Sequence, residues 1–166
     1  MYRSIEDFLK DWKAESEFTA RIFLLITDEK QTEKIHEHVR SLERLSWHLT
    51  QTITEMGCRA GLFESDLLEH QPIPNNMKTI ADTYTHYSDL IYTAVRKKWT
   101  DSSLTEKVAM YGEDWEKGKV LRVLLAHQTH HRGQMTVVMR ILGLSVIGFY
   151  GPAKEEWAEM GIPAAD

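Results

Sequence analysis

The sequence is short of cysteine, of basic charge and of long apolar runs. It contains one cysteine, Cys58, in 166 residues. An intramolecular disulfide and a Cys-x-x-Cys metal or redox site are therefore excluded. A lone thiol suits a reducing, cytoplasmic compartment. Lys and Arg number 20 against 25 Asp and Glu, a formal net charge of −5. Nucleic-acid surfaces are built from clustered cations, so no nucleic-acid partner is expected. No apolar run approaches the roughly 20 residues that cross a bilayer, so no membrane partner is expected either. The opening stretch MYRSIEDFLKDW meets acidic side chains at Glu6 and Asp7 and has no apolar h-region, unlike a secretory signal.

What the chain does have is helical period. Apolar residues make up 42% and charged residues 27%, the profile of a globular protein. Ser4 and Asp7 resemble a helix start. Ile5, Phe8, Leu9, Trp12, Thr19, Ile22, Phe23 and Ile26 then follow 3–4 spacing, predicting a helix over about 5–27. A second stripe, Ile35, Val39, Leu42, Leu45, Leu49, Ile53 and Met56, predicts a helix from a Thr32 cap to Gly57. Pro72, Pro74 and Asn75–Asn76 mark 58–76 as a long connection. A third helix is expected over about 77–99, with Ile80, Tyr84, Tyr87, Ile91 and Ala94 inward. In the connection 100–117, EKVAMYG reads as briefly extended; a fourth helix follows over about 118–142, stopped by Gly143. Within the tail 144–166, Tyr150–Gly151–Pro152 reads as a turn, and Trp157 is expected to close one end of the molecule. No repeat or boundary divides the chain, so 1–166 is read as one domain.

Four such helices, each near 35 Å long at 1.5 Å per residue, can bury their stripes only against one another. The expected fold is an all-α four-helix bundle. The long connection between the second and third helices permits a crossover, so consecutive helices need not be antiparallel.

The stretch LLAHQTHHRGQM, residues 124–135, is where chemistry concentrates. With an inward stripe at 120, 124, 127, 131, 134, 138 and 141, His127 and His131 stand one turn apart and face the same way, with Gln134 beyond them. His130 points aside. Each imidazole brings a polar nitrogen that needs a partner out of water. From spacing alone, a metal pair and a hydrogen-bonded core pair both stay open. On the second helix His48 borders the inward stripe at similar depth and offers a third corner. His36 and His38 sit among charged residues and read as solvated; His70 lies in a connection and His86 on a flank. Midway down the first helix Glu15, Ser16 and Thr19 interrupt the apolar stripe. Glu15 is either a partner behind a ligand, a proton acceptor, or exposed by a small rotation. HQTHH matches the zincin pattern except that Gln128 replaces the glutamate base, and glutamine cannot take a proton, so that protease mechanism is not expected.

Three neutral imidazoles would leave coordination positions open, as catalytic rather than structural sites do. An open position ionises a water, to a pKa of about 7 on zinc, or holds a thiolate. Histidine suits zinc, nickel, iron or copper.

HQTHHRGQM, followed by RILG and YGPAKEEWAEMG, resembles the C-terminal signature of the DinB-like (DinB/YfiT) superfamily, the bundle family rather than the DNA polymerase of that name. The element H-x3-H-R-G-Q is matched by His127, His131, Arg132, Gly133 and Gln134, and the isolated helical histidine by His48 in SLERLSWHLTQTI. The resemblance spans the whole chain in order. It implies up-down-down-up topology, a divalent metal on His48, His127 and His131 (zinc or nickel first, then iron or manganese), and a homodimer. It also implies a small-molecule substrate. Relatives include S-transferases that use low-molecular-weight thiols, so the first expectation is a metal-dependent thiol S-transferase in detoxification or stress response. A metal-dependent hydrolase and a non-enzymatic metal-binding dimer are the alternatives. Gln134 and Glu15 are the candidate catalytic side chains, Gln134 orienting a ligand or bound water. Gly133 is expected to admit a close backbone neighbour, and Arg132, about 100° off the stripe, to pair with an acid on another helix or the tail or to form an ordinary surface salt bridge. Cys58, about ten residues or 15 Å of rise from His48, is a poor nucleophile.

Overall fold

The computed structural model describes residues 1–161 and 163. Four long helices carry the fold: α1 (Ile5–Leu24), α2 (Leu42–Arg59), α3 (Met77–Lys98) and α4 (Lys117–Ile141). A 3-10 turn (Asp101–Thr105), two strands β1 (Lys107–Met110) and β2 (Glu113–Glu116), and a one-turn helix α5 (Lys154–Trp157) complete it. At the start of α1 the Ser4 hydroxyl accepts from the Asp7 N–H, and Glu6 and Asp7 lie at the positive end of the helix dipole. Asn76 caps α3 by accepting from the Thr79 N–H at 2.8 Å.

Each of α1 and α2 packs on both α3 and α4, so α1 and α2 sit on one diagonal of the bundle. End-to-end contacts fix the directions. The Ile5 N–H, at the start of α1, donates to Asp101 just past α3. The Tyr2 N–H donates to the Gly118 carbonyl at the start of α4. Lys98, at the end of α3, donates to the Leu62 carbonyl just past α2. The starts of α1 and α4 therefore share one end of the bundle with the ends of α2 and α3, which is the up-down-down-up order. Because α2 and α3 run parallel, residues 60–76 must travel back along the bundle. That is why this connection is long.

The α1 stripe is buried as expected, from Ile5 through Ile26. α2 departs from the sequence reading. It begins at Leu42 after Ser41, not at Thr32, and residues 28–40 run through turns. Residues 28–34 contain no apolar side chain to bury, so nothing holds them as a helix on the core. Ile35 and Val39 still pack against the core, half-buried, from a loop. The extended reading of EKVAMYG is borne out. β1 pairs antiparallel with β2, Met110 opposite Glu113, and the turn residues Tyr111 and Gly112 have φ of 52° and 82°. Both central positions of a two-residue type I′ turn need positive φ, which glycine meets at no steric cost.

α4 is rotated from expectation. Its buried ridge is Leu121, Leu124, Gln128, Arg132, Met135 and Met139, with Val120 and Val138 alongside. Gln134 and Ile141, both read as inward, are exposed. Hydropathy reads glutamine and arginine as surface residues, but here each finds its hydrogen bonds inside. Gln128 accepts from the Tyr84 hydroxyl at 3.1 Å and donates to the Leu49 carbonyl at 3.3 Å. A buried polar group that is fully partnered does not carry the desolvation cost that a lone one does. Among the described residues, no helix is long and apolar enough to cross a membrane.

Candidate metal centre

The Gln128–Leu49 bond fixes the register of α4 against α2, and the residue before each partner is a histidine. His48 Nε2 lies 3.2 Å from His127 Nε2, and His131 Nε2 lies 3.1 Å from the same atom. The rings meet edge to face, with centroids 4.4 to 4.9 Å apart. All three offer one nitrogen within 4.8 Å of the others, a group that could hold a metal ion. The rotation of α4 leaves the three half-buried at the rim of the core rather than at its middle.

The hydrogen-bond pattern prepares these nitrogens as donors. His131 donates its Nδ1–H to Gln134 Oε1 at 2.6 Å, so its Nε2 carries a bare lone pair. Burial, then the neighbouring imidazoles, then Arg40 and Arg44 push the His48 pKa down to about 4. Burial, with charge from His131, His130 and Arg40, holds His127 at about 4 as well. His131 is lowered too, first by burial. All three shifts favour the uncharged imidazole. Lone pairs that converge repel unless a proton or a cation lies between them. One proton satisfies one pair, whereas His127 faces two neighbours. The donor set therefore fits a divalent cation. No Cys, Asp or Glu among the described residues joins this group, so three ligands would leave positions open. The Nδ1 of His127 is buried with no hydrogen-bond partner among the described residues.

His48 and His131 border a pocket of about 600 Å³. Its polar lining is His38, Arg40, His48, His131 and Gln134, and Leu45, Val137 and Val138 form part of its apolar wall. His48 also borders a second hollow, of about 430 Å³, that reaches the free, half-buried Cys58.

Comparison with known proteins decides the family. The DinB family model matches residues 1–164. The chain belongs to the DinB family. This DinB-family protein is 38% identical over 164 residues to the uncharacterized protein YrdA of Bacillus subtilis (strain 168), covering 99% of this chain and 98% of YrdA. It superposes on the crystal structure of a DinB-like protein from Bacillus cereus ATCC 10987 with a TM-score of 0.81 at 36% identity, covering 90% of this chain and 100% of that one. A DinB-like protein from Bacillus subtilis, YjoA, shares the fold at a TM-score of 0.70 and 17% identity, covering 89% of this chain and 99% of that one.

The other residues singled out in the sequence fall in several places. His130 is exposed, as are His36, His38, His70 and His86. Glu15 is buried and stands with Arg132 instead of with the histidines. Arg132 is not the surface residue its position suggested. It donates through Nη2 to the Glu15 carboxylate, and through Nη1 to the Glu15 carbonyl at 2.9 Å and the Thr19 hydroxyl at 3.0 Å. Its guanidinium lies between Phe149 and Phe18, 5.0 and 5.8 Å from the ring centroids. The Tyr150 hydroxyl donates to the other Glu15 oxygen, tying the tail to α1 and α4. Gly133 does not admit a close neighbour: a Cβ there would meet nothing within 4 Å. Trp157 is half-buried and donates to the Pro152 carbonyl within the tail at 3.3 Å, a local contact in place of an end cap. Sequence reasoning missed Arg40 and Tyr150 because each reaches its site from a loop, where periodicity carries no signal.

Proposed function

We propose that this protein is a metal-dependent thiol S-transferase in which His48, His127 and His131 hold a divalent ion, zinc or nickel first, with iron or manganese after them. The observation that supports this reading is the convergence of three imidazole Nε2 atoms beside an open, largely apolar pocket that His48 and His131 line. A divalent ion there would lower the pKa of a thiol that reaches it, so that the thiol would give its proton to solvent and stand as thiolate at neutral pH. The chain's own residues do the rest. Gln134 holds His131 in the tautomer that presents Nε2. The aliphatic wall that includes Leu45, Val137 and Val138 receives the apolar parts of the thiol and of the electrophile. The thiolate sulfur supplies the electron pair of the new S–C bond, and the leaving group departs with its own pair. The thiol is supplied by a small molecule; Cys58 lies at the end of α2, ten positions from His48. Glu15, engaged by Arg132 and Tyr150, supports α4.

Elemental analysis of the purified protein should find about one divalent ion per chain, as three neutral ligands at one point require. A low-molecular-weight thiol and a simple alkyl halide should then conjugate faster with the protein than without it, and a chelator should remove the effect. A protein that takes up no metal refutes the reading. Ester cleavage without added thiol replaces it with a hydrolase. A metal that changes only stability or oligomeric state leaves a non-enzymatic binding protein.

A further inference from the structure

The pocket beside the three histidines is acid-free in an acidic protein. Its lining carries Arg40 and His38 and no carboxylate, while the chain as a whole has a net charge of −5. Arg40 is exposed and, among the described residues, makes no hydrogen bond or ion pair within the chain. Its neighbour Arg44 is engaged by Gln51. Arg40 lines the same pocket as His48 and His131. The residue directly before it, Val39, and the nearby Leu45 and Val137 give the same pocket an aliphatic floor. A guanidinium presents a planar fork of donors that matches the two oxygens of a carboxylate. The pocket therefore brings together three features: a reaction centre, an aliphatic surface and an unpaired fork.

We propose that Arg40 is a specificity residue that docks the carboxylate of the small thiol whose sulfur reaches the three histidines, with the aliphatic part of that thiol lying on Val39, Leu45 and Val137. This rests on the reading of the centre as a thiol site. It assigns Arg40 to binding only: no bond forms or breaks at the guanidinium.

The test is calorimetric binding of ω-mercaptocarboxylates of increasing chain length, each paired with its uncharged amide, to the zinc-loaded wild type and to Arg40→Gln and Arg40→Lys. At one or more chain lengths the wild type should prefer the carboxylate by roughly five- to tenfold, the scale of one charge-assisted contact at a solvated site. The preference should shrink as salt is added. Arg40→Gln should lose it while keeping its zinc content and its affinity for the amides; Arg40→Lys should keep part of it. If no chain length is preferred over its amide, or if Arg40→Gln discriminates as the wild type does, the role of Arg40 is refuted. The two readings fail separately. Amides that bind without discrimination count against Arg40 alone. Carboxylates that bind through Arg40 when the amides do not bind uphold Arg40 and count against the thiol reading. If neither series binds, both are wrong.

Discussion

Arg132 and Glu15 form an ion pair inside the bundle, with their side chains 2% and 8% exposed, one residue along α4 from His131. Around this pair meet α1, α4 and the C-terminal segment, which joins through Tyr150. A buried charge is costly unless it is matched by a partner and its remaining donors are satisfied. Both conditions hold here, and the same contacts hold the turn of α4 that carries a histidine of the centre.

Removing one member of that pair is expected to destabilise the protein by about 3–5 kcal/mol, because the other charge is left buried alone. Glu15→Leu is the direct case. The combination Glu15→Leu with Arg132→Met should cost clearly less than the two single changes added together. Urea denaturation of the four proteins measures this. Single changes below about 1 kcal/mol would mean that the pair is not closed in solution.

Loss of a histidine at the centre should act on metal affinity out of proportion to stability. Changing groups behind a ligand already costs about 10–100-fold in affinity, so His48→Ala should cost at least about 100-fold. His130→Ala, on an exposed neighbour, should bind as the wild type does. Competition with a chromophoric chelator reads both. Unchanged affinity in His48→Ala would remove α2 from the site.

Gln134 is predicted to matter through the proton it fixes. Gln134→Ala frees the His131 ring to turn or to change tautomer, and should weaken metal binding by about 10–100-fold. Gln134→Glu keeps an acceptor facing Nδ1 and should restore most of it. Equal losses in both variants would argue against the tautomer account.

The metal-free protein should lose stability as the pH falls. The folded pKa values of His48 and His127, about 4, lie below the ordinary histidine value of 6.5. Between those values the unfolded chain takes up protons that the folded chain does not, so stability declines from about pH 6.5 to about pH 4 and is flat above. Melting temperatures of the wild type and of His48→Ala/His127→Ala across that range test it. The double variant should show the shallower decline, and an equal slope would assign the pH dependence to other groups.

Much of the fold and part of the site could be read along the chain. The 3–4 spacing of Phe8, Leu9, Trp12, Ile22 and Phe23 determines α1, because only a helix brings those side chains to one face. The same rule places His127 and His131 one turn apart, and the H-x3-H-R-G-Q element with His48 marks the family and the bundle. Where the rule misled, the reason was local. Ile35 and Val39 mimic a helical stripe from a loop, and Gln128 and Arg132 look like surface residues because their partners are far away in sequence. Those partners, Tyr84, Leu49, Glu15 and Thr19, are 44 to 117 residues distant. Tertiary structure alone decided the rotation of α4, the burial of the Arg132–Glu15 pair, the separation of Glu15 from the histidines and the placing of Arg40 at the pocket. Periodicity reports how much apolar surface a helix must hide. Which polar side chains go in with it depends on hydrogen-bond partners that only the folded chain brings within reach.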